Sequence, residues 1–167
     1  RFPGVADPAV EKAISQAKTS ADAFEAAYRG KIASLDPASL AGCFRELEAF
    51  QVKFGDLSLY ASLSFSANMT LPQVQALYDR ISKLEAEVGK QLAFVSLELG
   101  RAVKAKPTLI GDFELSGYRH MLERVLRRVE HQLSEVEEQL IIEKDQFGVQ
   151  AWEELQSKWL NTRTFDV

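Results

Sequence analysis

Two histidines, one cluster of arginines and a lone cysteine are the side chains here whose type and spacing bear on chemistry. His120 and His131 lie eleven positions apart, which an unbroken helix would bring close to one face, as a helical metal site requires. The rest of the pattern argues against it. His120 is followed by Met121 and His131 by Gln132, so neither opens an H-E-x-x-H zinc signature. A helical di-iron site wants Glu-x-x-His twice, but Gly117 and Arg128 stand three residues before the two histidines. Both read as structural histidines, and no metal ligand, catalytic residue or cofactor-binding residue is assigned in this chain.

Arg119, Arg124, Arg127 and Arg128 form a local basic patch. One chemistry open to it is an anion site, for instance for a peptide's C-terminal carboxylate, because a guanidinium forks a carboxylate well. The reading favoured by sequence is plainer: pairing with the acidic turn at Glu135, Glu137 and Glu138, or contact with solvent. Glu98 in F-V-S-L-E-L and Glu123 in Y-R-H-M-L-E-R are expected to pair with an arginine or to lie at a helix edge. Tyr28, Tyr60 and Tyr118 have the chemistry to donate to a peptide in a groove, but read as core bodies with wet hydroxyls. Cys43 falls on an apolar stripe with Leu40 and Leu47 and reads as inert core. Serine-nucleophile motifs, phosphate-binding glycine loops and dinucleotide fingerprints are missing.

The elements that carry these residues are helical throughout. Over residues 7–29, Val10, Ile14, Ala17, Ala21, Phe24 and Tyr28 recur every three or four positions, with Asp7 to cap, Pro8 in the first turn and Gly30 to end the helix. Over 37–66 the stripe is Leu40, Cys43, Leu47, Phe50, Phe54, Leu57 and Ala61, with Gly55 marking a kink or a point held by packing. Thr70 is expected to cap a third helix, with Pro72 in its first turn. Its stripe is Val74, Leu77, Ile81, Leu84, Val88, Leu92, Val95 and Leu99, and to Ala102 it would run about 48 Å. Gly100 and Pro107 punctuate the chain before a short helix or irregular connection near 109–115. A helix over 117–130 should turn Met121, Leu122, Val125 and Val129 inward. Ser134 with Glu137 makes a capping box opening a long amphipathic helix through Val136, Leu140, Phe147, Ala151, Leu155 and Trp159, bent near Gly148. The tail from Asn161 to Val167 loses periodicity, and the end at Val167 looks like a domain boundary. The expected fold is an all-α bundle of long antiparallel helices, five or six in number, as a single domain over 1–167. No fixed-period repeat suggests a solenoid.

Composition closes off other classes. The chain has 167 residues, 46% hydrophobic and 26% charged, with a net charge of −4. That acidic balance argues against nucleic acid as a partner. No apolar run approaches the ~20 residues that span a bilayer, so no membrane role is expected. The opening R-F-P-G-V-A-D-P lacks the apolar core of a secretion signal, and a lone cysteine suits a reducing cytoplasm.

Four segments together resemble one known family. Phe24–Ile32 (F-E-A-A-Y-R-G-K-I), Tyr60–Asn68 (Y-A-S-L-S-F-S-A-N), Phe94–Leu99 (F-V-S-L-E-L) and the run from Tyr118 to Trp152 occur in the order found in the N-terminal region of oligoendopeptidase F-like zinc metallopeptidases, relatives of thimet oligopeptidase. The resemblance implies the N-terminal lobe of a longer peptidase that hydrolyses short peptides in an enclosed cleft. This lobe would form one wall of that cleft, partnered by the C-terminal catalytic domain of the same protein. The zinc ligands and the general base of H-E-x-x-H would lie in that missing domain, so the chain alone should cleave nothing. Two rivals remain: a stand-alone helical-bundle interaction module, and a catalytically dead relative that continues beyond Val167 without the zinc motif.

Overall fold

The computed structural model describes residues 2–163; the end of the aperiodic tail, and with it the expected boundary at Val167, lies outside the described residues. Six α-helices follow one another: α1 (Pro8–Tyr28), α2 (Pro37–Ala67), α3 (Pro72–Ala105), α4 (Arg119–Arg128), α5 (Glu135–Phe147) and α6 (Val149–Asn161). Short 3-10 turns at Ile32–Ser34, Pro107–Gly111, Ser116–Tyr118 and Val129–His131 make the corners. No strand occurs among the described residues, and the fold is the expected all-α bundle.

Local chemistry sets most of the boundaries. Asp7 caps α1 by accepting the Ala9 N–H at 2.8 Å, and Pro8 occupies the first turn, where its missing N–H costs nothing. Gly30 ends the helix in the left-handed region at φ 77°, with nothing near a would-be Cβ, so glycine is needed there for backbone freedom alone. Asp36 caps α2 through the Ser39 N–H at 2.9 Å. Thr70 does not cap α3. Its hydroxyl donates to Asn68 Oδ1 at 2.8 Å, closing a turn after α2, and Leu71 takes the cap position without a side-chain bond. Pro72 does start the helix.

Helices α2 and α3 are about 46 and 51 Å long by their residue counts. They form an antiparallel hairpin, with α1 laid against both. Arg80 holds the α1–α3 register with two bonds to Glu11, at 2.7 and 2.8 Å. One apolar cluster joins Val10, Ala17 and Ala21 of α1 to Phe50, Leu57 and Ala61 of α2 and to Leu77 through Val88 of α3. A second joins Phe24, Ile32, Leu40, Cys43 and Phe44 to Phe94, Leu99 and Val103, and draws in Leu115 and Leu122 from the connection and α4. Leu47 and Leu92 touch both, so the core runs the length of the bundle.

Gly55 sits where packing by Phe50, Phe54 and Leu57 holds the helix, while Gly100 behaves differently from expectation. α2 stays helical through exposed Gly55, and a Cβ there would meet no atom within 4 Å. Gly55→Ala is therefore expected to stabilise the chain by ~1 kcal/mol, read as a higher urea midpoint at unchanged slope. Gly100 does not punctuate α3, which runs on to Ala105. It admits the Gln132 side chain, whose Oε1 would lie 2.3 Å from a Cβ at that position.

The helix expected over 117–130 is shorter, α4 covering only Arg119–Arg128 between two 3-10 turns. Leu122 is fully buried, while Val125 and Leu126 pack at the edge of the core. Met121, expected inward, is exposed. The capping box is present in full: Ser134 N donates to Glu137 Oε2 at 2.8 Å and Glu137 N to Ser134 Oγ at 3.3 Å. Gly148 divides the expected long helix into α5 and α6.

Candidate functional site

Three of the four segments that carry the family resemblance meet at one corner, while Tyr60–Asn68 packs elsewhere, with Tyr60 on Phe2 and Phe65 on Tyr78. Arg29, just past α1, donates from Nε to Glu25 at 2.6 Å, from Nη1 to Glu135 of α5 at 2.7 Å, and from Nη2 to the Gln91 carbonyl of α3 at 3.0 Å. Its guanidinium lies over the Phe94 ring, 4.5 Å from the centroid. The bond to Glu135, and then that to Glu25, raise its pKa and keep it charged. Glu98 does not pair with an arginine. It accepts the Gly30 N–H at 2.7 Å and the Ile32 N–H at 3.2 Å, capping from α3 the turn that follows α1. Phe24–Ile32 and Phe94–Leu99 thus clasp one another. The corner is an anchor for three helices and holds no nucleophile beside a base.

The other candidates are dispersed. His120 is 79% exposed and has only Glu123 nearby, at 3.8 Å; His131 sits exposed in the turn before α5. Among the described residues no three His, Cys, Asp or Glu side chains are grouped to hold a metal ion. Arg119, Arg124, Arg127 and Arg128 are all exposed. Of the two plain readings, contact with solvent holds and pairing with the acidic turn is not made, Glu135 being taken by Arg29 and Glu137 by Ser134. Tyr118 donates to Glu48 at 3.0 Å and packs on Phe44, and Tyr60 packs on Phe2.

Cys43 is fully buried, and burial, followed by the charges of Glu46 and Glu98, pushes its thiol up to about 11. Burial and then a hydrogen bond with Glu46 push the Tyr28 hydroxyl up to about 12. Both are acids whose neutral form the fold favours. Their stabilisation is complete below the unfolded values near 9 and 10, and is lost as pH rises through 11 to 12. The urea midpoint should therefore fall between pH 9 and 12, and Cys43 should resist a thiol reagent at pH 8 until the chain unfolds.

A trough of about 550 Å³ runs along the outside of α1 and α2. Ala17, Ala23, Phe24, Phe50 and Phe54 line it, and Glu46 and Lys53 are its ionisable residues. Such a lining can accept apolar groups but offers no acid–base pair.

The last two helices are turned with their polar sides inward. α5 meets α3 through Gln139, Ile142 and Gln146. Gln132, Gln139 and Gln146, seven residues apart, donate their amides to the α3 carbonyls of Ser96, Lys90 and Ser82 at 2.8, 3.4 and 3.0 Å. On α6 the half-buried residues are Glu154 and Lys158, paired with each other, and the Lys158 ammonium lies 5.9 Å from the Phe65 ring. The apolar stripe faces water: Val136 is 75% exposed, Phe147 79% and Trp152 71%, with Leu140, Leu155 and Trp159 also exposed. No residue of α5 or α6 is buried. Helical spacing located this stripe and not its direction; the glutamine heptad was the signal for which side meets the bundle.

A helical lobe with a closed core and one apolar side left open is what fold and surface define. Within it, residues 108–165 match the family model for the N-terminal region of M3 peptidases, described as Oligopeptidase F. That third of the chain, reaching from the turn after α3 through α6, is similar to the N-terminal region of oligoendopeptidase F-like proteins. No curated protein and no solved structure matches the chain. No helix among the described residues is long and apolar enough to cross a membrane.

Proposed function

We propose that this chain is the N-terminal helical lobe of an oligoendopeptidase F-like zinc metallopeptidase, forming one wall of a cleft that admits short, unfolded peptides. The match over 108–165 carries this reading. The long α2–α3 hairpin, stiffened by a continuous core, suits a wall that excludes folded substrates by shape. The metal does not fit the residues present here, because His120 and His131 are exposed and His120 has a single, distant carboxylate neighbour. Zinc, two histidine ligands, a further glutamate and the general base would belong to a catalytic domain beyond Val167, acting in the cytoplasm. When bound there, zinc would supply a water of lowered pKa.

The open apolar side of α5–α6 equally suits a stand-alone module that binds a partner helix. The parent reading frame separates the two. On the peptidase reading, the frame continues past Val167 to H-E-x-x-H and a later glutamate. The extended polypeptide then cleaves an internally quenched peptide, a chelator stops it, and the 167-residue chain alone does nothing. A stop codon after Val167 overturns this reading and leaves the interaction module. A continuing frame without the motif leaves a catalytically dead relative.

A further inference from the structure

We infer that the outward side of α5 and α6 is the seat on which the catalytic part of the same polypeptide packs, through an apolar strip rimmed by lysine or arginine. This rests on the lobe reading above and names the surface that joins the two parts.

Polarity is the first argument. The larger apolar side chains of both helices point away from the bundle, while glutamine, glutamate and lysine face it, with Ile142 the one apolar exception on α5. A helix governed only by this bundle would have the opposite orientation, because burying a leucine or tryptophan stabilises a fold more than a neutral amide contact does. The stripe is therefore matched to a surface outside residues 2–163.

Area is the second. Val136, Leu140, Phe147, Trp152, Leu155 and Trp159 leave on the order of 800 Å² of side chain in water, above the few hundred usual for a monomer's largest patch and equal to one side of a standard interface.

Charge selects the occupant. From Leu133 to Asn161 there are seven carboxylates and two lysines, a net of −5, against −4 for the whole chain. One of those lysines, Lys158, is tied inward to Glu154. A second copy would bring two such acidic rims together around its apolar strip. A partner with cationic flanks meets them favourably.

Trp152 and Trp159 are the chain's two tryptophans, and both lie on this side. Hydroxyl-radical footprinting read by mass spectrometry would be run on the 167-residue chain and on the polypeptide extended to its natural stop. The expected result is rapid oxidation of both tryptophans in the short chain and about tenfold slower oxidation in the extended one, as burial in an interface core gives. Trp152→Glu with Trp159→Glu should leave the short chain's melting temperature unchanged, since both sites are exposed. In the extended protein it should restore rapid oxidation at Phe147. Full reactivity of both tryptophans in a longer, active protein overturns the inference and leaves the lobe reading standing. A frame that stops at Val167 removes both. Protection in the short chain that grows with its concentration overturns the occupant in favour of a second copy.

Discussion

Glu98→Ala is expected to lower the unfolding free energy by about 2–4 kcal/mol, a large loss for a side chain that is not in the core. The magnitude follows from what the carboxylate holds. It is the acceptor for two backbone N–H groups, of Gly30 at 2.7 Å and Ile32 at 3.2 Å, across 68 and 66 residues of sequence. Hydrogen bonds to a charged group contribute about 1.5–3 kcal/mol each, and leaving a buried donor unmet costs a comparable amount. Ile32 is 1% exposed, so its N–H has little access to water, whereas Gly30 is exposed and can recover a water in the mutant. The expected loss therefore falls below twice the single-bond figure. Glu98→Gln keeps one acceptor oxygen and should lose about half as much. Urea unfolding of the three proteins tests this. Equal midpoints for wild type and Glu98→Ala would sink the idea that Glu98 caps the turn. Equal losses in both variants would show that charge alone mattered.

That corner also shows how far the sequence could be read. The stripes of α1, α2 and α3 were legible because three- and four-residue spacing is a property of one helix, and the residues named from it, such as Val10, Leu57 and Ile81, are buried. The Asp7 cap, the Gly30 stop and the Ser134–Glu137 box were legible for the same reason, each being complete within a few residues. Glu98 was not, because its partners lie on the turn after another helix. Its neighbours in F-V-S-L-E-L gave no hint that backbone rather than arginine would meet it. Thr70 failed more locally, since Asn68 competed for its hydroxyl. Met121 failed in a third way, and the stripe from Val136 to Trp159, though helical as expected, shows the same limit. Periodicity says that a helix has an apolar side, and not whether this chain supplies the surface that covers it.

The largest dynamic effect should be in the attachment of α5 and α6. Amides of these helices are expected to exchange with solvent at least about 100-fold faster than those of Phe94–Val103 in the buried C-terminal part of α3, through openings that leave the rest folded. A factor of 100 corresponds to about 2.7 kcal/mol, a modest gap within the range over which parts of one protein differ. The contacts support it: neither helix has a buried residue, α5 is held by Ile142 against Gly89 together with the glutamine amides, and α6 leans mainly on α5. Neutral amide bonds contribute about 0.5–1.5 kcal/mol net each, and the 3.4 Å bond from Gln139 falls at the weak end. Arg29–Glu135 adds a charged bond at one end of α5 only. Two variants place the opening. Ile142→Ala should speed exchange in α5 and α6 while leaving Phe94–Val103 unaffected. Gly100→Ala displaces the Gln132 side chain, which has a flexible stem to move on, so it should loosen the start of α5 with little change in the global urea midpoint. Hydrogen exchange followed by mass spectrometry resolves these segments. Protection of 135–161 within tenfold of that in 94–103 would mean that the polar seam binds as firmly as the core, and α5 and α6 would then be integral to the bundle.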